Sequence, residues 1–247
     1  MFKVGDYVTR KKYNNDILFK IKEIKDNKII LCGVDIRLIA DASSDDLVLR
    51  TRSMREKRDY DLVRSLDTSE CFYIPGVILH IDSDKDYLEQ CLEYYKKQKV
   101  KCYGYVFNEK EYLKNIERLI NKHKPNVLVI TGHDAYNKKN NKYKNSKYFE
   151  ESVSFVHSKF PNIIIISGAC QSDFNSLIRC GSSFASSPSH INIHALDPAI
   201  IASFIALSDK NKTIDLDLIL SKTKYGKDGI GGIESNGVML VGMPRKD

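Results

Sequence analysis

A cysteine and a histidine each follow an apolar run in this 247-residue sequence. Residues 163–169 are four isoleucines followed by Ser-Gly-Ala, and Cys170 comes next. Residues 127–132 are Val-Leu-Val-Ile-Thr-Gly, and His133 comes next. A thiol beside an imidazole is the smallest set that provides a thiolate nucleophile with an acid/base partner. The two stretches therefore predict cysteine-based acyl transfer, and we interpret Cys170 and His133 as the dyad of a cysteine peptidase.

Such a dyad needs a sheet that brings both residues to one edge. Short apolar runs without alternation are typical of strands buried on both faces in a parallel sheet. Ligands and catalytic groups collect at the carboxyl ends of such strands. The 37 residues that separate His133 from Cys170 are enough for one helical crossover between neighbouring strands. A short helix predicted over 174–178 would stabilise a thiolate at Cys170 through its N-terminus.

Less specific interpretations exist for the same residue types. A cysteine near a strand end is more often a small packed side chain than a nucleophile. We expect packing alone for the other five cysteines, which are Cys32, Cys71, Cys91, Cys102 and Cys180. Their spacing contains no CxxC pair, which argues against a zinc ribbon or a disulfide framework and favours a reducing compartment. His190 and His194 are four residues apart, but their segment is predicted to be extended and no third ligand accompanies them, so we expect no metal site.

The order of predicted elements indicates an α/β protein with a small β module at its amino end. Residues 1–50 contain four or five short alternating strands, which suit an SH3-like β-barrel with a docking or a merely stabilising role. Residues 51–72 form a charged linker. Over 73–247 strands alternate with helices, which predicts a mostly parallel sheet flanked by helices. The predicted strands cover 76–81, 101–107, 126–131, 162–167 and 183–188, the helices cover 87–98, 109–123, 147–160, 174–178 and 197–206, and a glycine-rich hairpin covers 229–242.

Composition limits the partners. The net charge is +7, which weakly favours acidic partners, but no basic stripe is interleaved with aromatic residues, so specific nucleic-acid binding is not expected. The amino-terminal residues lack the apolar segment of a signal peptide, and no run of 18 apolar residues occurs. We therefore expect a cytoplasmic protein without a membrane span.

The dyad motifs resemble those of the caspase-like, or clan CD, cysteine peptidases. In that group an apolar strand ends at a catalytic histidine, the next strand ends in a small residue plus cysteine, and a further strand resembles residues 184–188 here. Over nearly its whole length, including residues 4–10, 16–21, 132–134 and 167–172, the chain is similar to the YabG family of sporulation-specific proteases. Clan members usually carry glycine after the histidine, where this sequence has Asp134. The oxyanion-binding role is therefore carried over only to the backbone amides of Gly132 and Cys170.

The resemblance implies a substrate class and a location. It implies proteolytic processing of spore coat, cortex-lytic and germination proteins in the mother cell, associated with the forming coat. It also implies cleavage near arginine or lysine, which would need an acidic pocket wall. Asp84 is the first candidate for that wall, with Asp82 and Asp173 behind it, although Asp82 and Asp84 could simply cap the helix that follows. Ser186, in the strand that resembles the clan pattern, is a further candidate for substrate binding.

The predicted reaction passes through a thioester acyl-enzyme and needs no metal or organic cofactor. Cys170 would attack the peptide carbonyl and His133 would protonate the leaving amine. Two other functions remain open: hydrolysis of a small amide by the same dyad, and a non-catalytic spore-coat scaffold that binds through its β module. The arginines of the linker are potential sites of self-cleavage, or the linker is merely solvated.

Overall fold

The computed structural model describes residues 2–25, 28–51, 71–137 and 142–244, with only the backbone described for Asn137 and Lys142. The chain divides into two compact units, residues 1–59 and 60–247. Residues 52–70 of the predicted linker lie outside the described ranges, and so do its potential self-cleavage sites after Arg52, Arg55, Arg58 and Arg64. Each unit is described by itself below.

The first unit is a five-stranded antiparallel sheet. Its strands are β1 (Tyr7–Arg10), β2 (Phe19–Lys25), β3 (Lys28–Gly33), β4 (Ile39–Ala42) and β5 (Leu47–Arg50), in the spatial order β4-β3-β2-β1-β5. Alternating side chains form its core because successive residues of a strand point to opposite faces. Val8, Phe19, Ile21 and Leu31 are buried on the inner face. Whether this sheet is an SH3-like barrel stays a prediction.

The second unit is built on a mostly parallel six-stranded sheet. Its strands and helices are β6 (Phe72–Ile74), β7 (Ile78–Asp82), α1 (Lys85–Lys97), β8 (Cys102–Val106), α2 (Tyr112–His123), β9 (Val127–Thr131), β10 (Tyr136–Asn137), β11 (Lys142–Tyr143), α3 (Ser146–Lys159), β12 (Ile164–Gly168), α4 (Phe174–Arg179), β13 (Phe184–Ser186), α5 (Asp197–Ala206), α6 (Leu216–Ser221), β14 (Ile230–Gly232) and β15 (Leu240–Gly242). The sheet order is β14-β13-β12-β9-β7-β8, and only β14 runs antiparallel to its neighbour. The α/β class and the mostly parallel sheet predicted from the sequence are confirmed.

Helices cover both faces of this sheet. Val127 and Val129 face a cluster formed with α1, α5 and α6, whereas Leu128 and Ile130 face a cluster formed with α2, α3 and α4. All four side chains are fully buried, as a continuous apolar run in a central strand requires. Each contributes about 1.5–3 kcal/mol through burial. The two clusters fix the central strands, and with them the loops at their carboxyl ends.

The carboxyl-terminal part of the chain differs from the sequence-based expectation. The predicted hairpin over 229–242 does not form, because β14 pairs with β13 and β15 pairs with β6. A Cβ at Gly232 would lie 2.3 Å from the ring of Phe184, so the glycine lets β14 approach the sheet edge. Asp197 is the first residue of α5, and its carboxylate accepts from the backbone N–H groups of His194 and Lys224. In the described ranges, no helix is long and apolar enough to cross a membrane.

Candidate active site

Three strands end in register at the edge where the site is expected. The last residues of β7 and β9 pair with each other, and the last residue of β9 also pairs with the last residue of β12. Asp84, His133 and Cys170 each lie two residues beyond these paired ends. Neighbouring parallel strands with aligned ends deliver their following residues to one edge of the sheet. The sheet register therefore brings a carboxylate, an imidazole and a thiol to the same rim.

Cys170 lies under the loop that follows β13. Its exposed fraction is 5%, and its Sγ accepts from the backbone N–H of Ile193 at 3.3 Å. The loop is tied down by Ser187, whose Oγ accepts from the Gln171 N–H at 3.1 Å and donates to the Ile191 carbonyl at 2.7 Å. An N–H directed at sulfur stabilises the thiolate form over the thiol. The loop thus both stabilises charge on the sulfur and restricts access to it.

His133 is held at its side chain and at its backbone. The imidazole Nε2 donates to Asp84 Oδ2 at 3.2 Å, and the backbone N–H donates to Glu109 Oε1 at 2.9 Å. The His133 carbonyl accepts from Asn145 Nδ2 at 2.7 Å. The Tyr87 ring lies 5.9 Å from the imidazole, measured between ring centroids. These contacts from β7, α1 and the segments beside α2 and α3 fix the ring at the rim while 23% of its side chain stays exposed.

Asp84 both caps α1 and contacts the imidazole. Its Oδ1 accepts from the N–H groups of Asp86 at 3.0 Å and Tyr87 at 3.3 Å, which is the usual geometry of an N-cap. Its exposed fraction is only 6%. The helix-capping role considered for Asp84 is therefore present in the structure, and its second oxygen is engaged by His133.

Asp82 lies behind the rim in a buried network. It has no exposed surface, and its Oδ1 accepts from the Asp84 N–H at 2.9 Å while its Oδ2 accepts from Thr131 Oγ1 at 2.7 Å. His80 Nε2 lies 2.8 Å from Thr131 Oγ1, and His80 Nδ1 lies 2.9 Å from Tyr95 Oη. A substrate side chain has no route to a carboxylate without exposed surface. In this arrangement Asp82 supports the rim and does not line it.

Asp173 and Ser186 lie on the cysteine side of the rim. Asp173 is half-buried and caps α4, with its Oδ1 accepting from the Ser176 N–H at 3.0 Å. Ser186 is fully buried, and its hydroxyl has no hydrogen-bond partner within the described part of the chain. The Ser186 Cβ lies 3.2 Å from the position of a Cβ built on Gly168, so this serine packs directly against the end of β12. Roles of either residue in substrate binding stay predictions.

The loop after His133 explains the unexpected aspartate there. Asp134 Oδ1 accepts from the N–H groups of Ala135 at 2.8 Å and Asn145 at 2.7 Å, and Oδ2 accepts from the Ser146 hydroxyl. Burial raises the pKa of this carboxyl, and these hydrogen bonds partly oppose the effect. Asp134 therefore closes the base of the segment that carries β10 and β11. A glycine at this position could not make these contacts.

Aromatic rings from this segment lie beside the residue after Cys170. The Tyr136 and Tyr143 rings are 4.9 Å apart, and the His190 ring lies 6.0 Å from that of Tyr136. The Tyr136 N–H donates to Gln171 Oε1 at 3.5 Å. Burial, with a contribution from the negative charge of Asp173, raises the pKa of Tyr143. The rim next to Cys170 is thus aromatic and acidic.

Gly132 must be glycine for reasons of space. A Cβ built on it would lie 2.8 Å from Ser83 Oγ and 2.9 Å from both Glu109 Oε1 and Tyr112 Oη. Glu109 is itself buried and accepts from Ser83 Oγ at 2.6 Å in addition to the His133 N–H. No role was predicted from the sequence for Glu109 or Asn145. Glu109 belonged to a predicted helix start, so only the three-dimensional structure shows that it holds the histidine.

No set of three histidine, cysteine, aspartate or glutamate side chains is arranged to hold a metal ion in the part of the chain that the structure describes. The strand ends and the segments around them place a thiol, an imidazole, carboxylates and backbone amides at the rim. This set can carry out nucleophilic attack, proton transfer and stabilisation of an oxyanion.

Comparisons with known proteins agree with a peptidase. The family model described as YabG peptidase U57 matches residues 3–69 and 52–244. The chain is also 42% identical to the sporulation-specific protease YabG of Bacillus subtilis (strain 168), in an alignment that covers 99% of this chain and 99% of the relative. Both matches include the first unit as well as the rim residues. The chain therefore belongs to the YabG peptidase U57 family.

Proposed function

We propose that this protein is a cysteine endopeptidase of sporulation that cleaves proteins with Cys170 as nucleophile and His133 as acid/base partner. The observation that carries the proposal is the register of β9 and β12, whose last residues pair with each other. His133 lies two residues after the end of β9, and Cys170 lies two residues after the end of β12. Family membership supports peptide-bond hydrolysis, and the YabG relative supports a role in sporulation. The cysteine mechanism rests on the rim itself.

The reaction begins when the Cys170 thiolate attacks the carbonyl carbon of the scissile bond. The C–N bond then breaks, the amine leaves with a proton from the His133 imidazolium, and a thioester remains on Cys170. His133 next takes a proton from water, whose oxygen attacks the thioester and releases the acid product and the thiolate. The backbone amides of Gly132 and Cys170 would stabilise both oxyanions, each contributing on the order of 3 kcal/mol.

The substrate has to displace part of the loop over Cys170. Cys170 is only 5% exposed, and its sulfur accepts from the N–H of Ile193, which lies on the loop that follows β13. A peptide carbonyl approaching the sulfur needs the space above it. We propose that substrate enters between this loop and the segment of β10 and β11, so that both segments line the cleft.

We propose that a basic substrate side chain binds on the cysteine side of the rim. Asp82 is buried and Asp84 is engaged by His133, which leaves Asp173 as the better-placed carboxylate. The Tyr136 and Tyr143 rings lie nearby, and aromatic faces attract lysine and arginine cations. Cleavage near arginine or lysine would follow from this combination of negative charge and aromatic surface.

We also propose the substrates, the location and the domain types that the family resemblance implies. Substrates would be spore coat, cortex-lytic and germination proteins, processed in the mother-cell cytoplasm at the forming coat. Residues 1–50 of the first unit would be an SH3-like module, and residues 73–247 of the second unit would be a caspase-like domain. The order of the six-stranded sheet, with the histidine and cysteine strands adjacent at its centre, supports the caspase-like assignment.

The test compares single alanine variants of the full-length protein. Cys170→Ala and His133→Ala should each reduce cleavage of a lysine- and arginine-rich protein by about 10³-fold or more, because each removes a reacting group. Cys180→Ala is the matched control, since Cys180 is a half-buried thiol at the end of α4 and has no part in the mechanism. Cleavage is followed by mass spectrometry of the products.

The outcomes separate the alternatives. A scaffold would cleave nothing in any sample, and a small-amide hydrolase would convert amide compounds while leaving proteins intact. Full activity in Cys170→Ala would reject the cysteine mechanism. The cysteine mechanism would be supported if a thiol alkylator inactivates the wild-type protein and adds one mass increment on Cys170.

A further inference from the structure

We propose that Asp84 is the positioning residue of the dyad: it fixes the His133 ring and the nitrogen that carries the proton. This inference rests on the proposed function, because it concerns how the same imidazole works. The sequence suggested a substrate pocket for Asp84, and the structure directs its carboxylate to the histidine instead.

The two oxygens of Asp84 have separate partners. Oδ1 accepts from two N–H groups at the start of α1, which fixes the carboxylate relative to the helix. Oδ2 is then directed at His133 Nε2, at 3.2 Å. With only 6% of Asp84 exposed, little water competes for either oxygen. The carboxylate is thus held from one side and presents one oxygen to the imidazole on the other.

This contact determines the tautomer of His133. An ionised carboxylate can only accept hydrogen bonds, so Nε2 must carry the proton that lies between them. Nδ1 is then the basic nitrogen in the neutral ring, and it is the atom that takes and returns the proton during the reaction. A neutral amide at position 84 would no longer favour one tautomer, because an amide both donates and accepts.

A buried chain of hydrogen bonds sets the position of Asp84. The Asp84 N–H donates to Asp82 Oδ1, and Asp82 Oδ2 accepts from Thr131 Oγ1. Because the Thr131 hydroxyl gives its proton to Asp82, it accepts from His80 Nε2–H. Thr131 lies on β9 two residues before His133, and Asp82 lies on β7 two residues before Asp84. These hydrogen bonds therefore link β7 and β9 directly beneath Asp84 and His133.

Two further carboxylates near His133 form hydrogen bonds with groups other than its imidazole. Glu109, from the connection between β8 and α2, bonds the backbone N–H of His133, and the Asp134 carboxylate on its own loop bonds Ala135, Asn145 and Ser146. The Asp84 carboxylate contacts the imidazole itself. This distinguishes Asp84 from its neighbours and makes a single substitution informative.

The first experiment reads the tautomer directly. Nitrogen NMR of ¹⁵N-histidine-labelled Cys170→Ala protein, which cannot cleave itself, should show neutral His133 protonated at Nε2. The resonance is assigned by its loss in Cys170→Ala/His133→Gln. A His133 ring protonated at Nδ1 would overturn the proposal even if no Asp84 variant folds.

The second experiment measures the kinetic effect. Asp84→Asn keeps an N-cap side chain for α1, so the melting temperature should change little, while kcat should fall on the order of 10²-fold with KM within about threefold. Asp215→Asn is the control for capping, because the Asp215 side chain caps α6 by accepting from the Leu218 N–H, and this substitution should leave kcat unchanged. In the labelled protein, Asp84→Asn should also convert His133 to a mixture of tautomers.

The two proposals fail in different ways. If Asp84→Asn folds with wild-type kcat while Cys170→Ala and His133→Ala are inactive, the dyad stands and the positioning role is rejected. If Cys170→Ala retains full activity, the proposed function itself is wrong. A loss of kcat that is accompanied by an unchanged Nε2–H tautomer would assign Asp84 to the stability of the fold instead.

Discussion

The two halves of the rim differ in how completely their buried polar groups are paired. On the histidine half, Asp84 and Glu109 hold the imidazole and backbone of His133 through carboxylate hydrogen bonds. On the cysteine half, the hydroxyl of Ser186 and Oδ1 of Asn192 are buried with no hydrogen-bond partner among the described residues. A buried polar atom without a partner costs about 1–3 kcal/mol. The histidine is thus held by hydrogen bonds in the free protein, whereas the cysteine half contains two buried polar atoms that have no partner among the described residues.

This difference agrees with the proposed chemistry. The acid/base group must hold one orientation in every step, so fixed hydrogen bonds to it are useful before substrate binds. The nucleophile must be reached by a peptide, so a loop that covers it has to move.

For this comparison, the largest expected effect on activity and stability comes from a substitution at Glu109, which holds the histidine half. Glu109→Ala removes the acceptor of the His133 N–H and of the Ser83 hydroxyl. We expect kcat to fall on the order of 10²-fold and the free energy of unfolding to fall by about 1–3 kcal/mol, because a buried N–H loses its partner. Peptide kinetics and urea unfolding measure the two effects.

Two variants make this result specific. Glu109→Gln keeps an oxygen that can accept both hydrogen bonds, so most of the activity should return. Glu117→Ala is the charge control, since Glu117 lies on exposed α2 surface in an ion pair with Lys159, and such pairs contribute about 0–1 kcal/mol. Equal losses in Glu109→Ala and Glu117→Ala would show that the histidine half is not specially held.

We expect a smaller effect from a substitution at Ser186, on the cysteine half of the rim. Ser186→Ala removes a buried hydroxyl that has no partner in the described residues, so the free protein should be unchanged or more stable by up to about 1 kcal/mol. If substrate supplies the missing partner, KM should rise about three- to tenfold. The measurement is a thermal melt together with kcat and KM on one peptide.

Ser203 provides the comparison for Ser186. It is also fully buried with an unpartnered hydroxyl in the described structure, but it lies on α5 in the apolar core. Ser203→Ala should match Ser186→Ala in stability and leave KM at the wild-type value. An unchanged KM in both variants would mean that the orphan hydroxyl of Ser186 is a packing feature without a role in binding.

The sequence predicted the sheet, and the positions of His133 and Cys170 just beyond two of its strands, better than it predicted the contacts around them. Continuous apolar runs such as 127–130 occur where a strand is buried on both faces, and this is a local property that the sequence records. The partners of His133 are different in kind: Glu109 is 24 residues away and Asp84 is 49 residues away. Such contacts depend on how several loops fold together.

Asp84 shows why residue type alone was not enough. An aspartate directly after a strand can cap the next helix, line a pocket or orient a histidine, and all three roles need the same side chain. A pocket was predicted first because the resemblance implied specificity for basic residues. Only the direction of the second carboxylate oxygen distinguishes the roles, and that direction is fixed by Asp82 and the α1 terminus together.

The smallest expected effect concerns Asp134, on the loop that joins the two halves. Burial raises the pKa of the Asp134 carboxyl in the folded chain above its value in the unfolded chain. The folded chain therefore binds the proton of this carboxyl more tightly than the unfolded chain does. For this group, acidification from neutral pH through the window between these two pKa values favours the folded state, and the benefit is lost as pH rises through the folded pKa. In the Cys170→Ala background, Asp134→Asn should therefore remove part of the stability gained on lowering the pH from about 7 to about 4.5, measured by urea unfolding.

The control for this prediction has the opposite sign. The backbone N–H of Lys12 and the guanidinium of Arg10 lower the pKa of Asp46, so this group favours the folded state at neutral pH and the benefit disappears as the pH falls through its folded pKa. Asp46→Asn should change the pH slope of stability in the direction opposite to that of Asp134→Asn. If both variants shift the slope in the same direction, burial is not what sets the pKa of Asp134, and the loop is held by its hydrogen bonds regardless of charge.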